Sequence, residues 1–507
     1  MIMQTKTFTN LLIGHEIVIE ADSSKALPAI EIIGLPDASI KEAKDRIRST
    51  FRNVGIDLPK RKFILNLSPS HLRKVGTSFD LAMAVALLGL IHEGRLNHAE
   101  RMGEFLFFEL GLDGKLKRVN GLLPSVISAK QKGYQTFFIP RENAYELEYI
   151  SDITIIPITH FSQIVDFFLK GSQLSYLRNA KNFSEIGENA DSDANDFKYI
   201  KGQLFAKRAL SIAAAGLHNV LMVAPSKTML SKALTTILPP LGFDEILEVS
   251  QIYSVVKLNQ DLPLIVRRPF RQVHHTASKV SIIGANLTPG EVSLAHKGIL
   301  FFDELTEFPR EVLEVLRQPL EDRVINISRA SGTVQYPANV MFVASMNPCK
   351  CGFYKDPDKA CSCSLTEIKR YQSKISGPLL DRVDMILEIP RENISTLLEK
   401  SASLSSAELF EGVKKAWKIQ QDRFKGDIQV NAYMRAKDID QFITLDSASK
   451  DFLAKATEKF SLSGRVVHRL LKLARTIADM EERENIVVGD IMEALHYRSK
   501  TMFIENE

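Results

Sequence analysis

Gly298-Ile-Leu-Phe-Phe-Asp303-Glu304 decides how this chain is read. An unbroken apolar run of this kind suits a strand buried on both faces of a parallel sheet. Here the run ends abruptly in two adjacent carboxylates. A buried strand presenting Asp-Glu at its carboxyl end is what an ATPase requires: Asp303 would hold Mg²⁺ through its water shell, and Glu304 would orient the attacking water. A core strand ending in a solvated acidic turn would have the same local sequence. The surroundings must choose between the two.

Upstream, Asn219-Val-Leu-Met-Val223 is a second buried-strand run, and Lys227-Thr228-Met-Leu-Ser-Lys-Ala-Leu234 reads as a helix. A phosphate-binding loop belongs between such elements, where glycines let backbone N–H groups curl around phosphate and the helix N-terminus adds positive potential. That loop has the form Gly-x-x-x-x-Gly-Lys-[Ser/Thr], and Ala224-Pro225-Ser226 before Lys227 is about three residues too short for it. It holds no glycine, and Pro225 removes a donor. Ser226, Lys227 and Thr228 are what remains to meet a nucleotide: Lys227 toward a β- or γ-phosphate, Thr228 toward Mg²⁺. A degenerate turn that binds nothing is the competing reading.

The chain has 507 residues, enough for roughly two to four domains. Its net charge of only +4 means that any nucleic-acid affinity must come from local clustering. No apolar run reaches membrane-spanning length, and Met1-Ile-Met-Gln-Thr-Lys6 lacks a signal-peptide core, so a cytoplasmic protein is expected. Residues 1–170 alternate strands and helices. Lys62-Phe-Ile-Leu-Asn-Leu67 and Thr136-Phe-Phe-Ile-Pro140 read as strands, Phe79 to Ile91 as an apolar helix, and Gly103 to Gly114 as a hairpin. Residues 171–197 are polar and acidic and read as a linker. An ATPase core spans 198–390, and 391–507 is mostly helical, with Val466, Val467, Leu470, Leu471, Ala474 and Ile477 on one helix face.

All four cysteines fall in one short segment as Cys349-Lys-Cys351 and Cys361-Ser-Cys363. In extended backbone, residues i and i+2 face the same way, so each pair offers two sulfurs to one ion. Four converging thiolates suit structural Zn²⁺. Reduced thiols or a regulatory disulfide are the alternatives. Arg267-Arg268-Pro-Phe270-Arg271-Gln-Val-His274-His275 places guanidinium groups around an aromatic ring, a composition suited to DNA phosphates and bases. A second basic hairpin is expected through Arg323 to Arg329. Pairing of these arginines with carboxylates would explain the same composition.

Longer strings carry a family resemblance. They include Ile33-Gly-Leu-Pro-Asp37, Asn66-Leu-Ser-Pro69, Ser78-Phe-Asp-Leu81, His274-His-Thr276, Pro289-Gly-Glu-Val-Ser-Leu-Ala-His296, Met346-Asn-Pro-Cys349 and Ile375-Ser-Gly-Pro-Leu-Leu-Asp-Arg382. With them the chain resembles, over almost its full length, the bacterial Mg-chelatase-like AAA+ ATPases of the ComM and YifB group. The resemblance implies a multidomain α/β fold: a Lon-protease-like, ribosomal-S5-like amino-terminal domain, an AAA+ P-loop core and a helical carboxy-terminal lid. It implies Asp303 and Glu304 as the Walker B pair, Asn347 as sensor 1, Arg382 as an arginine finger donated to a neighbouring subunit, and Arg465 as sensor 2. It further implies ATP, Mg²⁺, a homo-hexameric ring and branch migration on single-stranded or branched DNA during natural transformation or recombination. A pseudo-ATPase ring that keeps its DNA surface is the main alternative, and a true Mg-chelatase subunit a lesser one. In the amino-terminal domain Ser78 falls near the position of the Lon nucleophile, but Leu123 stands where the lysine base belongs, so proteolysis is not expected.

Overall fold

The computed structural model describes the chain apart from residues 1, 73, 75, 77, 99–101, 103–104, 109, 112, 179–180, 182–192, 224–227, 257–262, 330–331, 357, 391–402, 426–429, 499–502 and 504–507. Seven strands form the first sheet: β1 (Met3–Phe8), β2 (Glu16–Ser24), β3 (Ala29–Ile33), β4 (Lys62–Ser68), β5 (Phe105–Phe107), β6 (Thr136–Pro140) and β7 (Thr154–Ile158), in the order β3-β4-β2-β1-β5-β6-β7. Helix Asp80–Ile91 packs on β1 and β2 and is buried from Asp80 to Gly89, as its nearly unbroken apolar sequence requires. Asp80 is tolerated there because Arg46 Nε reaches its Oδ2 at 2.5 Å. The hairpin expected over Gly103 to Gly114 does not form among the described residues. Its central residues are the single strand β5, parallel to both β1 and β6. Both partners are remote in sequence, so local turn signals could not reveal the pairing.

The second sheet contains β8 (Val220–Val223), β9 (Phe270–Val273), β12 (Ile299–Phe302), β15 (Met341–Met346) and β16 (Met385–Glu388), all parallel, in the order β16-β8-β15-β12-β9. Two small hairpins interrupt it, β10 (Gly284–Ala285) with β11 (Thr288–Pro289) and β13 (Val324–Arg329) with β14 (Gly332–Pro337). Strand β12 is wholly buried, as its apolar run predicts. Gly298 lets it start close against the neighbouring chain: a Cβ there would sit 2.0 Å from the Pro269 carbonyl oxygen.

The carboxy-terminal helices are welded to this sheet. Ala416 of helix Ser406–Phe424 and Leu470, Ala474 and Ile477 of helix Gly464–Met480 share one core with helix Leu204–Gly216 and strand β8. Nearly half of the acidic linker lies outside the described residues, but its end does not dangle. Phe197 is fully buried, and the buried Lys207 ammonium donates to the Phe197 and Ile200 carbonyls and to Ser403 Oγ. The amino-terminal domain also shares a core with the ATPase. Phe8, Leu122 and Val126 pack against Ile246, Val249 and Ile252 of helix Phe243–Val255.

Asp384, at the entry to β16, locks lid to sheet. It is 4% exposed, accepts the Asn219 N–H at 2.8 Å and pairs with Arg469 of the lid helix. Burial pushes its carboxyl up, but Arg469 and the other donors outweigh this and hold it well below the usual carboxylate range. Its stabilisation is therefore complete at neutral pH and is lost only as pH falls below the unfolded value of about 4. Asp384→Asn leaves the Arg469 charge unpaired and is expected to cost about 3 kcal/mol, read by urea denaturation at pH 7.

Candidate nucleotide site

Parallel register brings the site together. Phe302 of β12 lies opposite Ala344 of β15, so Asp303 and Ser345 emerge side by side at the carboxyl ends of their strands. Ser345 Oγ donates to Asp303 Oδ1 at 2.6 Å. Thr228 opens helix Thr228–Ala233 beyond β8, and its hydroxyl donates to Asp303 Oδ2 at 3.2 Å. The Glu304 N–H donates to Asp303 Oδ1 at 3.0 Å and to Ser345 Oγ at 3.2 Å. Glu304 itself takes a left-handed φ of 53°, a conformation costing roughly 1 kcal/mol in a residue with a Cβ. The turn aims its side chain outward: Glu304 is exposed, and its carboxylate accepts no hydrogen bond among the described residues.

Asn347 follows the end of β15, half-buried on the same edge of the sheet. Ser226 and Lys227 lie outside the described residues. Arg382 and Arg465 are not part of this cluster. Both stand at the opposite edge, where β16 begins, near Glu321. Ser345 was not foreseen from the sequence. Its signal was the two-residue spacing to Asn347 at the end of an apolar strand.

Comparison with known proteins settles the affiliation. The family model "Magnesium chelatase, subunit ChlI" matches residues 196–397, "Subunit ChlI of Mg-chelatase" matches 19–143, and "Magnesium chelatase, subunit ChlI C-terminal" matches 403–498. The competence protein ComM of Haemophilus influenzae is 38% identical over 504 residues, covering 96% of each chain. The YifB protein of Salmonella typhimurium is 37% identical over 489 residues, covering 95% of this chain and 94% of its own. The chain belongs to the Mg-chelatase-like AAA+ family of ComM and YifB. A fainter likeness, 27% identity over 130 residues, links a quarter of the chain to Lon protease 2 of Bacillus subtilis. In this family member Ser78 is buried and Leu123 is 1% exposed in the core, so the lysine of a Ser–Lys dyad is missing at the expected place.

In the AAA+ core the cysteines converge. All four Sγ atoms lie within 4.8 Å of one another, with Cys349–Cys351 at 3.3 Å, Cys351–Cys361 at 3.5 Å and Cys349–Cys361 at 3.7 Å. Burial raises the Cys351 thiol, but the Phe353 and Ser362 N–H groups and the neighbouring thiols outweigh it and bring it down to about 5. Cys361 goes the other way. The Cys363 backbone favours its thiolate, yet burial and the Cys351 and Cys349 sulfurs outweigh this and push it up to about 12. Thiols crowded in this way resist joint ionisation unless a cation joins them. The cluster is also mechanically linked to the carboxylates. Helix Leu365–Gln372 begins two residues past Cys363, Gln372 Nε2 donates to the Pro348 carbonyl at 2.9 Å, and Thr306 Oγ1 donates to the Tyr371 hydroxyl at 2.5 Å.

The basic segment divides. Arg268 is internal: it donates to the Pro239, Pro240 and Lys297 carbonyls and to Glu245 Oε2, with its guanidinium carbon 5.6 Å from the Trp417 ring centroid. Arg271 makes a two-pronged pair with Glu291 at 2.7 and 2.8 Å, and that hydrogen bonding, more than opposing burial, holds its pKa above the ordinary arginine value. Arg267 is exposed and makes no ion pair among the described residues. His274 is exposed with its ring centroid 4.2 Å from that of His275. The basic hairpin forms as β13–β14, though the side chain of Arg329 lies outside the described residues. In the amino-terminal domain Arg46 and Lys74 are likewise internal, while Arg52, Lys60 and Arg61 are exposed.

Proposed function

We propose that the protein is a ring-forming AAA+ ATPase that couples ATP hydrolysis to movement on DNA, driving branch migration during DNA uptake or recombination. One observation carries the ATPase part. Asp303 is held by Thr228 and Ser345 on the carboxyl edge of a parallel sheet, and the carboxylate of Glu304, which accepts no hydrogen bond among the described residues, stands beside it. Thr228 Oγ1 donates to Asp303 Oδ2 at 3.2 Å, so a Mg²⁺ that met the Thr228 hydroxyl would be held by Asp303 through its water shell. When bound, Mg·ATP brings a terminal phosphate whose transfer to water develops charge there. Glu304 orients that water and takes its proton, Asn347 fixes its position, Lys227 meets the phosphates, and Arg382 answers the charge from the neighbouring copy. The DNA part is supported by membership of the family that contains the Haemophilus competence protein and by the exposed Arg267 and His274, with the half-buried His275 beside them.

A pseudo-ATPase ring is the second reading. The short Ala224-Pro225-Ser226 bridge favours it, because it offers too few backbone donors to wrap a triphosphate. The cysteines are read as a structural Zn²⁺ site, since tetrahedral ligation at 2.3 Å puts sulfurs about 3.8 Å apart, close to the separations seen here. No helix among the described residues is long and apolar enough to cross a membrane.

Branched DNA is expected to raise the hydrolysis rate. The double variant Arg267→Ala, His274→Ala should lose most of that rise and bind DNA with a shallower salt dependence, because fewer phosphates are neutralised. Equal rates with no DNA and with single-stranded, duplex and branched DNA would remove DNA from the reading.

A further inference from the structure

Glu321 stands where two arginines meet. It lies in helix Arg317–Asp322, with Oε2 against the Arg382 guanidinium and Oε1 3.9 Å from Arg465 Nη2. Arg382 is otherwise held by Nε donating to the Arg317 carbonyl at 2.8 Å and Nη1 to the Pro378 carbonyl at 2.7 Å. Each of its three nitrogens therefore has an acceptor, and its side chain is only 10% exposed. Two of those acceptors are backbone carbonyls fixed within their helices. Glu321, half exposed, is the one acceptor that carries charge and can swing into solvent.

This group sits at the start of β16, whereas Asp303 and Thr228 lie past the ends of β12 and β8. The strands are parallel, so at least a four-residue strand, about 13 Å, separates the two sites. Neither arginine lies beside Asp303 and Thr228 of its own chain. A cleft of about 510 Å³, lined by Glu314, Arg317, Glu321, Asp322, Asn326 and Arg382, opens at the same place.

We propose that Glu321 is a latch on Arg382 and Arg465. In the isolated chain its carboxylate fills the anion position that a terminal phosphate, bound to a neighbouring copy of the chain, takes when the ring closes. The proposal rests on the ring reading above. The exchange is favourable in charge, because a terminal phosphate offers more negative charge and three acceptor oxygens to two guanidinium groups. The released carboxylate goes to water at little cost. Without either anion the Arg382 charge would be buried and uncompensated, so the latch also keeps the isolated chain stable.

The test uses Glu321→Gln in the full chain, which keeps size and removes charge. With Mg·ATP it should assemble at a several-fold lower protein concentration than the unmodified chain, by sedimentation velocity, and hydrolyse faster below saturating protein. Without nucleotide its assembly should not change. Adding Arg382→Ala should cancel both gains, which a general loosening of the interface would not do. If Glu321→Gln does not fold, Glu321→Asp shortens the same carboxylate and should shift assembly in the same direction by less. Assembly that is unmoved or weakened in a folded variant overturns the latch. Hydrolysis by the unmodified chain with unmoved assembly removes the latch alone. Shifted assembly without hydrolysis in any variant removes the motor reading alone, and failure of both removes both.

Discussion

Glutamine in place of Glu304 is expected to slow ATP hydrolysis by about two to four orders of magnitude, the usual contribution of a positioned proton acceptor. Nucleotide should stay bound. The substitution keeps the side chain's size and the left-handed turn that aims it, and it leaves Asp303 with Thr228, Ser345 and the residue-304 N–H as donors. What it removes is the one carboxylate at the site that accepts no hydrogen bond among the described residues. Single-turnover hydrolysis and nucleotide retained through gel filtration would separate the two effects. An unchanged rate would mean that another group orients the water.

The second large effect should come from metal removal. The purified protein is expected to carry about one Zn²⁺ per chain, and Cys349→Ser, which alters the fully buried ligand, to carry almost none. Structural zinc contributes on the order of 10 kcal/mol to the folding of the segment it binds. The segment here lies between Asn347 and helix Leu365–Gln372, whose Tyr371 accepts from Thr306 just behind the acidic pair. Chelation should therefore lower hydrolysis about tenfold as well, as losses of supporting contacts around a site commonly do. Metal affinity should weaken as pH falls, because binding requires thiolates. Metal analysis finding well under one equivalent after mild purification, with activity indifferent to chelator, would leave the cysteines as reduced thiols.

The parts of this protein that were legible in its sequence share a physical cause. Strands β8, β12 and β15 are buried on both faces, so each is a plain apolar run, and the chemistry begins where the run stops. The cysteines were legible because a two-residue spacing in extended chain already points sulfurs together. The lid helix was legible because 3.6-residue periodicity puts Leu470, Ala474 and Ile477 on one stripe, and that stripe is buried.

What was hidden depends on contacts between distant segments. Strand β5 pairs only in parallel, so no turn announces it. Arg268 looks like a DNA contact beside Arg267 and Arg271, yet carbonyls of Pro239, Pro240 and Lys297 and the ring of Trp417 enclose it. Ser345 joins Asp303 and Glu304 only through the register of β12 with β15. The meeting of Arg382 and Arg465 at Glu321 needs the lid helix folded back over the strand starts.

The motor reading requires this site to hold nucleotide despite its shortened loop. Equilibrium binding of Mg·ATP to the Glu304→Gln protein, with Lys227→Ala in the same background as control, tests it most directly. Binding that the control loses would show that Lys227 and Thr228 still meet phosphate across the short bridge, as the motor account predicts. No binding in either protein would contradict that account and leave Asp303 and Glu304 as relics in a ring that does not turn over ATP.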